Sequence, residues 1–199
     1  MLLKFLVIGL GSMGKRRIRN LISLGHHLID GFDIREDRCI ESNKLYGINI
    51  YNSFEKAIKE NNYNALIVSV PPDFHDHYIE KGLDLKIPSF IEASVINTNY
   101  SNYIDRINSS GSIIAPSCTL FFHPAVKKIK DIIDKSKLGK ISNIIYHSGQ
   151  YLPDWHLYEK VEDYYVSKRK TGGAREIVPF ELTWLTMLFG LPKRVSCFY

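Results

Sequence analysis

One short run constrains this chain more than any other: Gly9-Leu10-Gly11-Ser12-Met13-Gly14. It has the spacing G-x-G-x-x-G. It stands between an apolar segment, residues 3–8, and a stretch whose Ile18, Leu21 and Ile22 share one helical face, with Gly25 as a plausible stop. Those flanks, a strand before and a helix after, are the context that gives the spacing meaning. Gly9 permits the tight turn, Gly11 lets an anion approach the backbone, and Gly14 lets the helix pack on the strand. Ser12 and Met13 fall in the first helical turn, where amides without intrahelical partners and the helix dipole favour a pyrophosphate. A bare glycine turn with no ligand is the alternative, and the flanking elements count against it. The second half of the pattern is an acid at the end of the next strand, and Asp33 in "LIDGFDIRED" stands there. Its carboxylate suits a ribose 2′-hydroxyl and repels a 2′-phosphate, which favours NAD over NADP. Arg35 is near enough to keep NADP open. Asp33 would also suit a helix N-cap, and both roles can coexist.

The rest of the first part repeats the same alternation. Residues 3–8, 28–32, 65–70, 89–91 and 113–115 are short and apolar on both faces, as strands of a covered parallel sheet are. Between them lie helical patterns. Asn52-Ser53-Phe54-Glu55 reads as a capping box, and Tyr100, Tyr103, Ile104 and Ile107 mark a helix ending near Gly111. Alternating strands and helices imply right-handed crossovers and a doubly wound, Rossmann-type α/β fold over residues 1–117. The pattern changes after that. "HPAVKKIKDIID" predicts a helix with Pro124 in its first turn. Residues 141–150 predict a strand, residues 179–189 a second apolar helix, and residues 194–199 the start of another strand. Residues 118–199 thus read as an incomplete α+β second domain, since two strands are marginal as a sheet on their own.

Bulk properties narrow the partners. The formal net charge is +5, but the cations are scattered and no nucleic-acid reading motif is present. The three cysteines, Cys39, Cys118 and Cys197, suggest neither a disulfide framework nor a zinc site, and a reducing cytoplasm fits them. No segment is long enough to span a bilayer, and the apolar N-terminus is short and interrupted by Lys4. "DFHDHY" places Asp73, His75, Asp76 and His77 together, but neighbours at i and i+2 do not converge on one helix face, so no metal is expected.

With the strands, the glycine run and Asp33 in place, the chain resembles the glucose–fructose oxidoreductase / inositol dehydrogenase (Gfo/Idh/MocA) family of NAD(P)-dependent oxidoreductases, although such proteins are usually longer. "ALIVSVPPDFHDHYIEKGL" looks like the family's strand, proline turn and helix at the nicotinamide end of the cofactor. Val70, Pro71 and His75 are the residues the resemblance assigns to the cofactor. "LKIPSFIEASV" looks like the strand that normally ends in Glu-Lys-Pro, and "TGGAREIVPFELTWLTMLFG" like the helix that normally supplies an aspartate and a histidine to the substrate. The resemblance implies an oxidoreductase acting on a sugar, nucleotide-sugar or cyclitol. It also implies a homo-oligomer formed through the second-domain sheet.

The substrate side departs from the family. Glu92 keeps the family's glutamate, but Ala93 stands at its lysine, Ile177 at its aspartate, Phe180 at its histidine and Phe121 where many members have arginine. Removing a hydroxyl proton during hydride transfer needs a positioned base, and none of the usual three remains. Glu92, Arg175 and Glu176 are the substitute candidates, with Glu181, His147, Tyr151, Asp154 and His156 close in sequence. An arginine beside a glutamate suits an anionic substrate, or is simply an ion pair at a helix start. Trp155, Tyr158, Tyr164 and Tyr165 suit sugar stacking or packing under a loop. Three readings stay open: an oxidoreductase with a remodelled acid–base group, an inactive dinucleotide-binding sensor or subunit, and a truncated relic.

Overall fold

The structure is a computed structural model that describes residues 2–93, 100–149, 151–155, 157, 160–163 and 165–198, without the side chains of Ala174 and Glu176. It divides into two compact units, Met1–Ser117 and Cys118–Tyr199.

The first unit alternates β1 (Lys4–Ile8), α1 (Ser12–Ser23), β2 (Leu28–Phe32), α2 (Glu36–Tyr46), β3 (Asn49–Tyr51), α3 (Phe54–Glu60), β4 (Ala65–Val68), α4 (His75–Leu85), β5 (Ser89–Ile91), α5 (Tyr100–Ser110) and β6 (Ile114–Pro116). The sheet is six-stranded, in the order β3-β2-β1-β4-β5-β6. Every pair is parallel, with Ile8 opposite Phe32 on one side and Val68 on the other. This is the doubly wound arrangement, with its switch point between β1 and β4.

Strand alternation divides the core into two layers. Leu6, Ile8, Leu66, Val68 and Ile91 pack with Phe54 of α3, Tyr78, Ile79 and Leu83 of α4 and Tyr103 of α5. Phe5, Val7, Ile29 and Ile67 face the other way, onto Ile18 and Leu21 of α1. Ser53 caps α3 as its sequence predicts, accepting from the Lys56 amide at 3.1 Å.

A polar network closes the amino edge of the sheet. Asp30, 1% exposed, is held by Lys4 Nζ at 2.9 Å, the Tyr63 hydroxyl at 2.7 Å and Asn49 Nδ2 at 3.2 Å. Lys4 Nζ also donates to Asn61 at 2.6 Å and lies over the Tyr63 ring. A charge this deep persists because its carboxylate oxygens are matched by donors.

The second unit contains α6 (Pro124–Asp134) and α7 (Ala174–Phe189), with single turns of 3₁₀ helix between them. His123 Nδ1 accepts from the Ala125 amide at the start of α6. Helix α7 begins before the expected 179, because Gly173, at φ 55°, turns the chain into it. Pro179 therefore lies inside the helix rather than at its start.

The expected strands at 141–150 and 194–199 are a correction: among the described residues of this unit none pairs into a ladder. The segments are left exposed, with Ile145 at 87%, Val195 at 79% and Phe198 at 95%. A lone extended segment has no neighbour to satisfy its backbone, so apolar alternation alone does not make a strand.

Candidate functional site

The glycine turn is built as a cradle. Gly9 lies at φ +87°, and a Cβ there would stand 2.5 Å from the Ser69 carbonyl oxygen. Its amide donates to the Phe32 carbonyl at 2.8 Å, which ties the turn to the end of β2. A Cβ on Gly14 would stand 1.8 Å from the Gly9 carbonyl oxygen, so only glycine lets α1 meet the turn so closely. Gly11 is the N-cap of α1. No side chain caps the helix, and no acid lies in its first turn. The first-turn amides, those of Ser12, Met13 and Gly14, therefore face outward with the positive end of the helix dipole, a fit for a pyrophosphate.

Asp33 lies beside this cradle, its side chain 5% exposed. Oδ2 accepts from the Leu10 amide at 2.7 Å and Oδ1 from the Arg35 amide at 2.8 Å. The carboxylate thus organises the glycine turn from the end of β2. Arg35 is the N-cap of α2, and its guanidinium is bound to Asp37 at 3.1 and 2.6 Å. That hydrogen bond, more than the nearby charges, holds the Asp37 carboxyl below its ordinary value of 3.8. Arg38, which sequence reasoning missed, reaches within 3.8 Å of Asp33 Oδ2, and a Cβ on Gly11 would meet its Nη1 at 3.3 Å. Its signal was the spacing of one helical turn from Arg35, too common to single out.

On the other side of the switch point, Val70 and Pro71 follow β4, and the Val70 amide nitrogen would lie 3.0 Å from a Cβ on Gly9. His75, 1% exposed, donates from Nε2 to the Val70 carbonyl at 2.9 Å and so pins this turn from beneath. Its ring is inside the fold, behind the Val70–Pro71 turn. Among the described residues no group of three or more His, Cys, Asp or Glu is placed to hold a metal ion.

Glu92 extends from the carboxyl end of β5. Its carboxylate forms a bidentate ion pair with Arg17 of α1: Nε meets Oε1, and Nη2 lies 2.8 Å from Oε2. The charge at this strand end is paired, and Arg17 is the residue the sequence did not flag. Alternation explains the direction. Phe90 faces α1, Ile91 faces the opposite layer, and Glu92 returns to the α1 side. Ala93 follows at the position where the resemblance expects lysine.

In the second unit Arg175 is exposed in the first turn of α7, and the Glu176 side chain lies outside the described residues. A Cβ on Gly172 would stand 1.8 Å from the Val166 carbonyl oxygen, so this glycine serves a close backbone approach, while Gly173 has open space around it and supplies the positive φ. Glu181 accepts from the Tyr146 hydroxyl and Trp184 Nε1, each at 2.7 Å, and from Ser148 Oγ at 3.4 Å. Burial and the Glu181 hydrogen bond raise the Tyr146 hydroxyl above its ordinary value of 10.0. Glu181 is thus committed to packing within this unit. Tyr151 is 70% exposed, while His156, Tyr158 and Tyr164 lie outside the described residues.

Residues 3–95 match the GFO_IDH_MocA family, described as an oxidoreductase family with an NAD-binding Rossmann fold. No curated protein sequence matches the chain. Among solved structures it is similar to the myo-inositol 2-dehydrogenase of Lactobacillus plantarum, with a TM-score of 0.66 and 21% identity over 71% of this chain and 43% of that one. It is also similar to the Bordetella pertussis WlbA dehydrogenase in complex with NADH and UDP-GlcNAcA, with a TM-score of 0.64 and 14% identity over 70% and 44%. A third is the Lactobacillus casei scyllo-inositol dehydrogenase with NAD(H) and scyllo-inositol, with a TM-score of 0.60 and 18% identity over 70% and 43%. The match thus spans less than half the length of these proteins.

Proposed function

We propose, from the premise that residues 3–95 belong to the Gfo/Idh/MocA oxidoreductase family, that this chain is the dinucleotide-binding part of an NAD(P)-dependent oxidoreductase. Its substrate would be a sugar, nucleotide-sugar or cyclitol. The observation that carries the reading is the intact cradle. Gly9 and Gly14 have no room for a side chain, the start of α1 has no competing cap, and the Asp33 carboxylate is held beside the turn at the end of β2, which supports a ribose contact. NAD bound there supplies the hydride acceptor or donor. Ser12, Met13 and Gly14 amides would hold its pyrophosphate, Asp33 would accept from the adenosine ribose, and the Val70–Pro71 turn would wall the nicotinamide half. The Asp33 carboxylate supports NAD, while Arg35 and Arg38 at the same corner keep NADP open.

The proton step is where the site differs from its relatives. Ala93 and Phe180 offer no base, and Glu92 holds a strand end through Arg17 rather than reaching for substrate. Arg175 and Glu176 remain the candidates for binding and for acid–base work at the start of α7. The apolar replacements also favour the second reading, a dinucleotide-binding subunit without hydride chemistry.

The exposed Ile145, Val195 and Phe198 support association with another copy in a reducing cytoplasm, where the three free cysteines fit. Among the described residues no helix is long and apolar enough to cross a membrane.

Calorimetric titration with NADH and NADPH tests the cradle, and absorbance of the reduced nicotinamide with candidate polyols tests the chemistry. Tighter NADH binding is expected. Binding of neither cofactor would refute the proposal, and binding without turnover would select the second reading.

A further inference from the structure

Arg17 does more than neutralise Glu92. It lies on α1, the helix whose first turn is the cradle, and it reaches the ends of two strands. Besides the fork onto Glu92, Nη2 donates to Ser117 Oγ at 3.2 Å, and the guanidinium lies 4.8 Å over the Phe90 ring. Ser117 follows β6, and its amide donates to Ile91 at 2.7 Å. The Glu92 amide donates to Val68 at 3.0 Å. The Arg17 and Glu92 side chains are only 14% and 13% exposed. A buried ion pair of this kind gives little net stability over an apolar pair of the same shape. What it does give is fixed geometry, because a planar fork on a carboxylate admits one arrangement.

The sheet order says which parts are fixed together. The cradle is at the end of β1, so the adenosine half of a dinucleotide would lie over β2 and β3, and β4, β5 and β6 would carry the other half. Resting on the dinucleotide reading, we infer that Arg17 is a positioning residue: it sets the β5 exit, Glu92 and Ala93, against α1 so that the nicotinamide wall is registered to the pyrophosphate cradle. A ligand that ends at the second ribose does not need that wall, whereas one that carries nicotinamide does.

Titration of the full chain with NADH and with ADP-ribose separates the two. The variants are Arg17→Met/Glu92→Met, which leaves no orphan charge, and Arg17→Lys, which keeps the charge and loses the fork. Each is first checked by circular dichroism and urea unfolding. The double variant should bind ADP-ribose within about threefold of wild type and NADH at least about tenfold more weakly, the scale on which small misplacements act. Arg17→Lys should show the same selectivity with a smaller loss. Equal losses for the two ligands, no loss for either, or unfolding of both variants would make the contact merely structural and overturn the inference. Wild-type protein that binds neither compound would overturn the dinucleotide reading and this inference with it. Parallel losses against a binding wild type would overturn this inference alone.

Discussion

Asp33→Asn isolates what the carboxylate does in the absence of cofactor. Both of its oxygens accept backbone amides, Leu10 at 2.7 Å and Arg35 at 2.8 Å, within a side chain that is 5% exposed. Asparagine keeps the shape but has one oxygen, so its amide nitrogen must face one of those two N–H groups. A hydrogen bond to a charged acceptor is lost and a shielded donor is left unmatched, costing about 2–3 kcal/mol. If the glycine turn must be re-formed on binding, NADH affinity should fall by roughly 30- to 150-fold. The same loss should appear without ligand. With a urea dependence of about 1–3 kcal/mol per molar, the unfolding midpoint of the first unit should drop by about 1 M. Calorimetry and urea unfolding monitored by circular dichroism read the two quantities. A weaker NADH affinity with an unchanged midpoint would mean that Asp33 serves only the ribose. No change in either would refute its role in the turn.

Gly14→Ala should abolish NADH binding and lower the melting temperature, since the new Cβ would lie 1.8 Å from a backbone oxygen that cannot yield; calorimetry and a thermal melt check both. Lys4→Met should lower the stability of the first unit by about 3 kcal/mol in urea unfolding, because the buried Asp30 charge loses its cation, while NADH affinity stays within about twofold. Burial, then the Asp30 hydrogen bond, push the Tyr63 hydroxyl well above its ordinary value of 10.0. The unfolded chain ionises first as the pH rises past about 10, so folded stability is full below that pH and is lost above it. Tyr63→Phe should lessen that alkaline loss in pH-dependent unfolding.

Much of the first unit was legible because its signals are local. Residues 28–32 and 89–91 have the strand bounds predicted, and Ser53 caps the helix its sequence announces. β3 was missed because Asn49-Ile50-Tyr51 is too short to show a period, and it becomes a strand only by pairing with β2. The glycine run was readable because Gly9 and Gly14 each answer a steric need of their own turn. Arg17 was not, because its partners are 75 and 100 residues away and nothing near it in sequence says so. The segments at 141–150 and 194–199 failed for the converse reason. Alternation marks which side chains are apolar, but a ladder also needs a neighbouring chain.

The network around Asp30 has a practical meaning for anyone altering this protein. Asp30 itself stands in mid-sheet opposite Leu6, but its cation, Lys4, begins β1 at the end away from the cradle, about 13 Å from Ile8 at the rise of an extended strand. Changes that far apart with no shared partner combine additively. Laboratory evolution could therefore harden the amino edge first and then spend that tolerance on risky replacements at the carboxyl edge. The two libraries can be searched separately and merged without testing every combination.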